Sequence, residues 1–153
     1  MSLGVTDDMS VQRKDPFQNH RFKIEINGIT QASFIEAILP ESQSEIIEHR
    51  EGTQINAQKQ PGFTAYTPLV LKWGLTVSME LYNWRKLIEQ GKINSMRKNL
   101  SVILLDEEGQ DAARWDFTNA WPSKYKGPDL NAKTNEIAIE TLEIVFETMQ
   151  RVK

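Results

Sequence analysis

From His20 onward polar and apolar residues alternate. Phe22, Ile24 and Ile26 fall on one side of an extended chain, and Arg21, Lys23 and Glu25 fall on the other. A period of two is the mark of a strand with one buried and one wetted face. Asn27-Gly28 follows, a dipeptide that accepts positive φ at both turn positions, so residues 31–39 are expected to return as the second strand of a hairpin. Pro40 to Gln43 interrupt the pattern, and Ile46-Ile47 mark a further short strand over 44–51. Residues 52–68 carry Gly52, Pro61-Gly62 and Pro68 among scattered apolar residues and read as one long connection. Loops of that length are uncommon in a compact domain and tend to be functional. Residues 69–74 resume as a strand.

At Ser78 the period becomes helical: Leu81, Trp84 and Ile88 share a face, Ser78 is placed to cap, Glu80 suits the positive end, and Gly91 suits a left-handed stop. Residues 100–105 and 112–120, the latter with Ala113, Trp115 and Phe117 at alternate positions, form a second hairpin around Asp106-Glu107-Glu108-Gly109. Pro122, Gly127-Pro128 and Asn131 then mark a loop. Residues 136–150 fit two periods, since Leu142, Val145, Phe146 and Met149 would line a helix. The β-branched content favours a strand. Apolar parity changes within it from odd (Ile137, Ile139) to even (Leu142, Ile144, Phe146), so a β-bulge near Glu140-Thr141 is expected, with a bend that lets one strand serve two sheets. Glu136, Ala138, Glu143 and Glu147 then face away from the core. Phe22, Trp84, Trp115 and Phe117 are the expected core aromatics. Residues 1–15 have no period and read as a flexible N-terminal arm ahead of a single domain over 16–153.

Composition narrows the class. A chain of 153 residues is long enough to bury one core unaided. Its hydrophobic fraction of 39% lies below the ~45–50% usual for globular domains, which favours an antiparallel sheet with a wetted face over one buried on both sides. Eighteen Lys and Arg against 21 Asp and Glu are interspersed, without the basic stripe of a nucleic-acid binder. Trp84, Trp115, Trp121, Phe117 and Tyr125 therefore read as core or subunit-interface aromatics and not as a base-stacking platform. The longest apolar run, Val102 to Leu105, is far short of the about 20 residues that a membrane span needs. The first residues lack the basic and apolar regions of a signal peptide.

Candidate chemistry is sparse. The absence of cysteine removes disulfides, thiolate catalysis and Cys-ligated metals. The eight glycines are scattered, so no Gly-rich loop cradles a phosphate. His20 and His49 stand far apart with no metal-ligand spacing, and no G-x-S-x-G motif distinguishes a serine. The adjacent carboxylates Asp106, Glu107 and Glu108 read as a solvated turn, because calcium ligands alternate over about 12 residues. No catalytic residue, cofactor or metal site is assigned. The residues thus describe a mainly β domain with one helix and one long loop. A monomeric β-barrel that binds a small ligand is one use for such a domain.

Several blocks, taken together, resemble the tail-tube (inner tube) proteins of contractile phage tails and bacterial contractile injection systems, with the tube protein of type VI secretion as a distant relative in fold. They are Asp15-Pro-Phe17 with His20-Arg-Phe-Lys-Ile-Glu-Ile-Asn-Gly28, Ile47-Glu-His-Arg-Glu-Gly52, Pro61-Gly62, Leu71-Lys72 and Leu104-Leu-Asp-Glu-Glu-Gly109. The most specific are Arg114-Trp-Asp-Phe-Thr-Asn-Ala-Trp-Pro122, Lys126-Gly-Pro-Asp-Leu-Asn131 and Asn135-Glu-Ile-Ala-Ile-Glu-Thr-Leu-Glu143. Trp73 departs from the family pattern, in which a basic residue commonly follows Leu71-Lys72. The resemblance implies a non-enzymatic subunit of two packed antiparallel β-sheets with one flanking α-helix. It also implies homohexameric rings that stack into a hollow tube, with a sheath protein, baseplate or spike proteins and tube-terminating proteins as partners and cargo as a further occupant of the channel. Assembly in the cytoplasm, within a tail or injection particle released by lysis, goes with it. Gln54, Asn56, Gln58, Lys59, Gln60, Pro61 and Gly62 are the expected inter-ring contact, and Glu136, Glu143 and Glu147 the expected channel- or sheath-facing carboxylates.

Overall fold

The computed structural model describes residues 15–29 and 33–153, so the arm expected over 1–15 lies, but for Asp15, outside the described residues. The elements are β1 (Phe22–Ile26), β2 (Glu36–Ile38), β3 (Ser42–His49), β4 (Gln58–Tyr66), β5 (Leu69–Gly74), α1 (Glu80–Glu89), α2 (Ile93–Met96), β6 (Lys98–Leu105), β7 (Asp111–Lys126), β8 (Ile139–Val145) and β9 (Thr148–Arg151). Every strand pairing is antiparallel. The main sheet runs β1-β6-β7-β8-β5-β2 with β9 also on β7, while β3 and β4 form a separate two-stranded sheet. Because the first half of β7 pairs with β6 and β9 and its second half with β8, the main sheet folds into two layers that share this strand.

Between the layers the alternating apolar residues meet. Ile24, Ile26, Leu100, Val102 and Phe117 of one layer pack against Leu69, Leu71, Trp73, Leu142 and Ile144 of the other, and α1 adds Leu81 and Trp84. The helix presents Leu81, Trp84 and Ile88 inward as their spacing predicts, and Gly91 ends it at φ 84°. Ser78 does not cap it. Met79 holds that position without a side-chain bond, and the Trp84 indole N–H donates to the Met96 carbonyl at 2.7 Å, tying α1 to the short α2 that periodicity did not foresee.

The first expected hairpin is not formed. The chain does turn at Asn27-Gly28, and the Ile29 amide donates to the Ile26 carbonyl at 3.0 Å, but β1 pairs throughout with β6, from Phe22 opposite Leu104 to Ile26 opposite Leu100. Residues 36–38 pair instead with β5 in the other layer. Three inward residues of β1 find three apolar partners on β6, whereas β2 offers only the half-buried Ala37, so burial overrides the local turn. Residues 30–32 of that expected strand lie outside the described residues.

The closing segment is extended, and its bulge is elsewhere. The ladder of β8 on β5 runs unbroken from Ile139 opposite Gly74 to Ile144 opposite Leu69, with no extra residue at Glu140-Thr141. The even positions 140, 142 and 144 all face inward, and Ile139 is simply exposed. What periodicity could not anticipate is a buried carboxylate: Glu140 is 3% exposed and accepts from the Trp73 indole N–H at 3.1 Å and from the Tyr125 hydroxyl. The register shift lies on β7, between Pro122 and Lys124, so the expected loop at Pro122 is also a strand continuing to Lys126. The crossing between layers falls at residues 146–147, opposite the corner where Asn119 adopts φ 50°. There the Glu147 carboxylate accepts from Arg97 Nη1 at 2.6 Å and Asn119 Nδ2 at 2.7 Å, and the Glu147 amide donates to the Thr118 carbonyl at 3.0 Å.

Glu140→Ala leaves two donors without an acceptor, at about 1–3 kcal/mol for each one stranded. We expect a melting temperature lower by roughly 5–10 °C in calorimetry. Glu140→Gln keeps an acceptor oxygen and should lose less. The Tyr125 hydroxyl is pushed up to about 12 from 10.0, first by burial and then by its bond to Glu140 and that group's charge. A raised folded-state value means that this stabilisation is complete below pH 10.0 and is lost as pH climbs toward 12. Melting curves between pH 8 and 11.5 should show this alkaline decline, and Tyr125→Phe should flatten it.

Candidate assembly surfaces

The segment 52–68, expected as a connection, is mostly β4, and with β3 it forms a hairpin that is fastened to the body at its base. All eight residues of β3 are exposed, and in β4 only Gly62 is partly covered. A strand with neither face buried has no apolar alternation to betray it, which is why periodicity missed it. At the base the Glu41 amide donates to Thr67 Oγ1 at 2.7 Å, and the Thr67 amide donates to the Glu41 carbonyl at 3.0 Å. The Tyr66 ring meets Phe146 at 5.3 Å between centroids, and Phe146 stands edge-on to the buried Phe117 at 4.9 Å. An aromatic chain thus fastens the hairpin to the core.

Midway along the hairpin, Glu45 stands opposite the two residues Gly62 and Phe63, a bulge. A Cβ on Gly62 would lie 3.0 Å from Glu45 Cβ and 3.2 Å from Ile47 Cδ1, so a side chain there would press on the facing strand. At the tip Arg50 Nη2 donates to the Ile55 carbonyl at 2.7 Å, and His49 Nε2 lies 3.0 Å from Glu51 Oε1. Gln54 and Asn56 stand in this tip loop, and Gln58, Lys59, Gln60, Pro61 and Gly62 stand on β4, so the structure gathers all seven on the outer part of one projection. Ile46 (66% exposed), Phe63 (87%) and Ile55 (87%) give the projection an apolar surface. An isolated two-stranded hairpin is at best marginal in water, and among the described residues no third strand or helix packs along this one.

A second apolar surface lies beside Gly74, where Ile35, Ile137, Ile139 and Leu130 are all exposed around a groove edged by Lys72 and Lys126. Of the three expected outward carboxylates, Glu136 is exposed at this groove, Glu143 pairs with Lys124 at 3.4 Å, and Glu147 is held at the interlayer corner, so they do not form one stripe. Trp84 and Phe117 are buried, while Phe22 and Trp115 are partly buried against the core. Trp73, the departure from the family pattern, is a buried core residue bonded to Glu140.

One polar cluster went unnoticed in the sequence. Ser101 Oγ donates to Asp116 Oδ1 at 2.7 Å, Arg114 Nε donates to the same oxygen at 2.9 Å, and Arg114 Nη2 donates to Ser101 Oγ at 3.1 Å. The Ser101 bond, followed by Arg114, holds the Asp116 carboxyl below the ordinary value. The carboxylate that accepts from Ser101 is thereby a weaker base than usual, and the three groups brace β6 to β7. Register could have exposed it, since Ser101 sits opposite Asp116 and Ile103 opposite Arg114. Among the described residues no three His, Asp or Glu side chains gather as metal ligands.

Comparison with curated proteins finds no match. Among solved structures, a chain of the anti-feeding prophage baseplate is similar with a TM-score of 0.78 at 22% identity, covering 92% of this chain and 97% of that one. A chain of the extended PVC sheath-tube complex, from an extracellular contractile injection system, gives 0.75 at 23%, covering 95% and 96%. Hcp1 from Flavobacterium johnsoniae gives 0.56 at 16%, covering 86% and 94%. These likenesses establish a shared fold. The family model for T4-like virus tail tube protein gp19 matches residues 18–150, nearly the whole described chain, and the protein therefore belongs to that tail-tube family as a tube subunit.

Proposed function

We propose that six copies of this subunit close into a ring and that rings stack into a hollow tube inside a phage tail or contractile injection particle. The subunit works by shape and assembly, without a catalytic step. The observation that carries this reading is the β3–β4 hairpin, which the described residues leave exposed on both faces and apolar at Ile46, Ile55 and Phe63, and which association would cover. In the stacked tube its outer part, with Gln54, Asn56, Gln58, Lys59, Gln60, Pro61 and Gly62, meets the neighbouring ring. Glu136, Glu143 and Glu147 face channel or sheath. The similar chains come from structures described as a six-fold symmetrised baseplate, a sheath-tube complex and a tube-terminating cap, and sheath, baseplate and terminator are the partner classes we assign here. Assembly takes place in the cytoplasm, with lysis as the route of release. A ligand-binding barrel would need an empty apolar interior, whereas Trp73, Trp84, Phe117, Leu71 and Leu142 fill this one.

Negative-stain microscopy of concentrated protein should show six-fold rings, alone or stacked. A species that stays monomeric by light scattering up to millimolar concentration, with no rings in the images, would overturn the reading. Replacing residues 53–56 of the tip loop by Gly and Ser leaves both strands of the hairpin intact. That variant should keep its far-UV spectrum, melting temperature and rings while losing tubes, and tubes of normal length would show that the tip makes no inter-ring contact.

A further inference from the structure

In a closed ring of identical subunits each contact is heterologous, so one edge of a subunit must meet a different edge of its neighbour. Among the described residues β1, β2, β3, β4, β9 and the second half of β7 each leave an edge unpaired. Four of them are poor templates. The second half of β7 carries Pro122, which has no N–H and whose carbonyl already accepts from Arg85 Nη1 of α1 at 3.0 Å. β2 spans three residues, and Ile29 folds back on the last residue of β1. β4 carries Pro61, which has no N–H, next to the Gly62-Phe63 bulge, and both features blunt an edge. The two that remain are β3, eight residues without Pro or Gly, and β9. The ladder of β9 on β7 continues past Arg151, with the Val152 amide donating to the Arg114 carbonyl at 2.9 Å and the Arg114 amide donating to the Lys153 carbonyl at 3.3 Å.

Backbone polarity and charge both suit these two edges to each other. Pro61 has no hydrogen bond to give toward β3, so its pairing with Ile46 belongs at a non-hydrogen-bonded position. That turns the Ile46 N–H and C=O to the open side. β3 carries Glu45 and Glu48, and among the described residues neither has an ion-pair partner in the subunit. Residues 148–153 carry Arg151 and Lys153 and no Asp or Glu. Lys153 is likewise without an ion-pair partner, and Arg151 lies 5.7 Å above the Trp115 ring. Pairing β3 with β3, or β9 with β9, would set like charges together, which disfavours a closed dimer.

We infer that the seam between neighbouring subunits is a strand pairing of β3 from one copy with β9 of the next, which sets the acidic strand carrying Glu45 and Glu48, one on each face, beside the basic end that carries Arg151 and Lys153. This rests on the ring reading above and names the edges that make the ring. The hairpin then has two roles, its β3 edge joining subunits within a ring and its tip reaching the ring beyond.

Charge exchange tests it. Glu45→Lys with Glu48→Lys, and separately Arg151→Glu with Lys153→Glu, should each reduce ring particles at least tenfold by native mass spectrometry and negative-stain counting. An equimolar mixture of the two variants should restore rings in which the variants alternate, three of each, because every seam is then complementary again. If Arg151→Glu lowers the melting temperature through its loss from Trp115, the pair Glu45→Lys and Lys153→Glu replaces the double variants, since neither side chain has an ion-pair partner in the subunit. Rings at wild-type level in either variant would overturn the pairing, and so would failure of two folded variants to restore rings on mixing. Absence of rings in the unmodified protein would instead overturn the ring reading itself, and the seam with it.

Discussion

Everything in this subunit depends on the continuous antiparallel ladder along β7. Its sixteen residues serve both layers, pairing with β6 and β9 before the corner at Asn119 and with β8 after it. Twisted sheets pack face to face only if their inner side chains interdigitate, and a shared strand sets the relation between the two inner faces. The corner is fixed by Asn119 in the left-handed region, which an asparagine tolerates better than most side chains, and by Glu147 bridging Arg97 and Asn119. A straight β7 would have kept Phe117 and Pro122 in one plane, where both are instead buried in the folded layers.

A consequence of so complete a core is that no space is left between the layers to receive the β3–β4 hairpin. Trp73, Trp84 and Phe117 already fill the space between the layers, and the hairpin is joined to them only through Tyr66 and Phe146. Its backbone groups are satisfied on one side of each strand and open on the other. Such an element is a liability in a monomer and a resource in an assembly, because strand addition supplies directional hydrogen bonds and charge then chooses the partner. The low apolar fraction of the chain fits this arrangement, since burial is concentrated between two layers and the remaining surface is left exposed.

Polar groups inside the subunit follow the rule that burial must come with partners. Glu140 is the clearest instance, an inward carboxylate between two apolar layers that takes donors from Trp73 on β5 and Tyr125 on β7 and so links three strands. Ser101, Asp116 and Arg114 do the same on the outer face of the other layer.

By itself the sequence determined whatever is local and periodic. β1, β5, β6, the first part of β7 and α1 were legible because each has one apolar face, and Gly91 because only a left-handed stop suits it there. The family was legible from blocks such as Arg114 to Pro122. Tertiary structure alone decided what pairs with what. Asn27-Gly28 turns the chain, yet β1 joins β6, since three buried contacts outweigh one turn. Odd-to-even parity in 136–150 suggested a bulge, but a carboxylate can face inward when an indole and a phenol await it, and that partnership spans 67 and 15 residues of sequence. β4 was illegible for the opposite reason: neither of its faces is buried by the described residues, and periodicity records only the burial that one chain provides for itself.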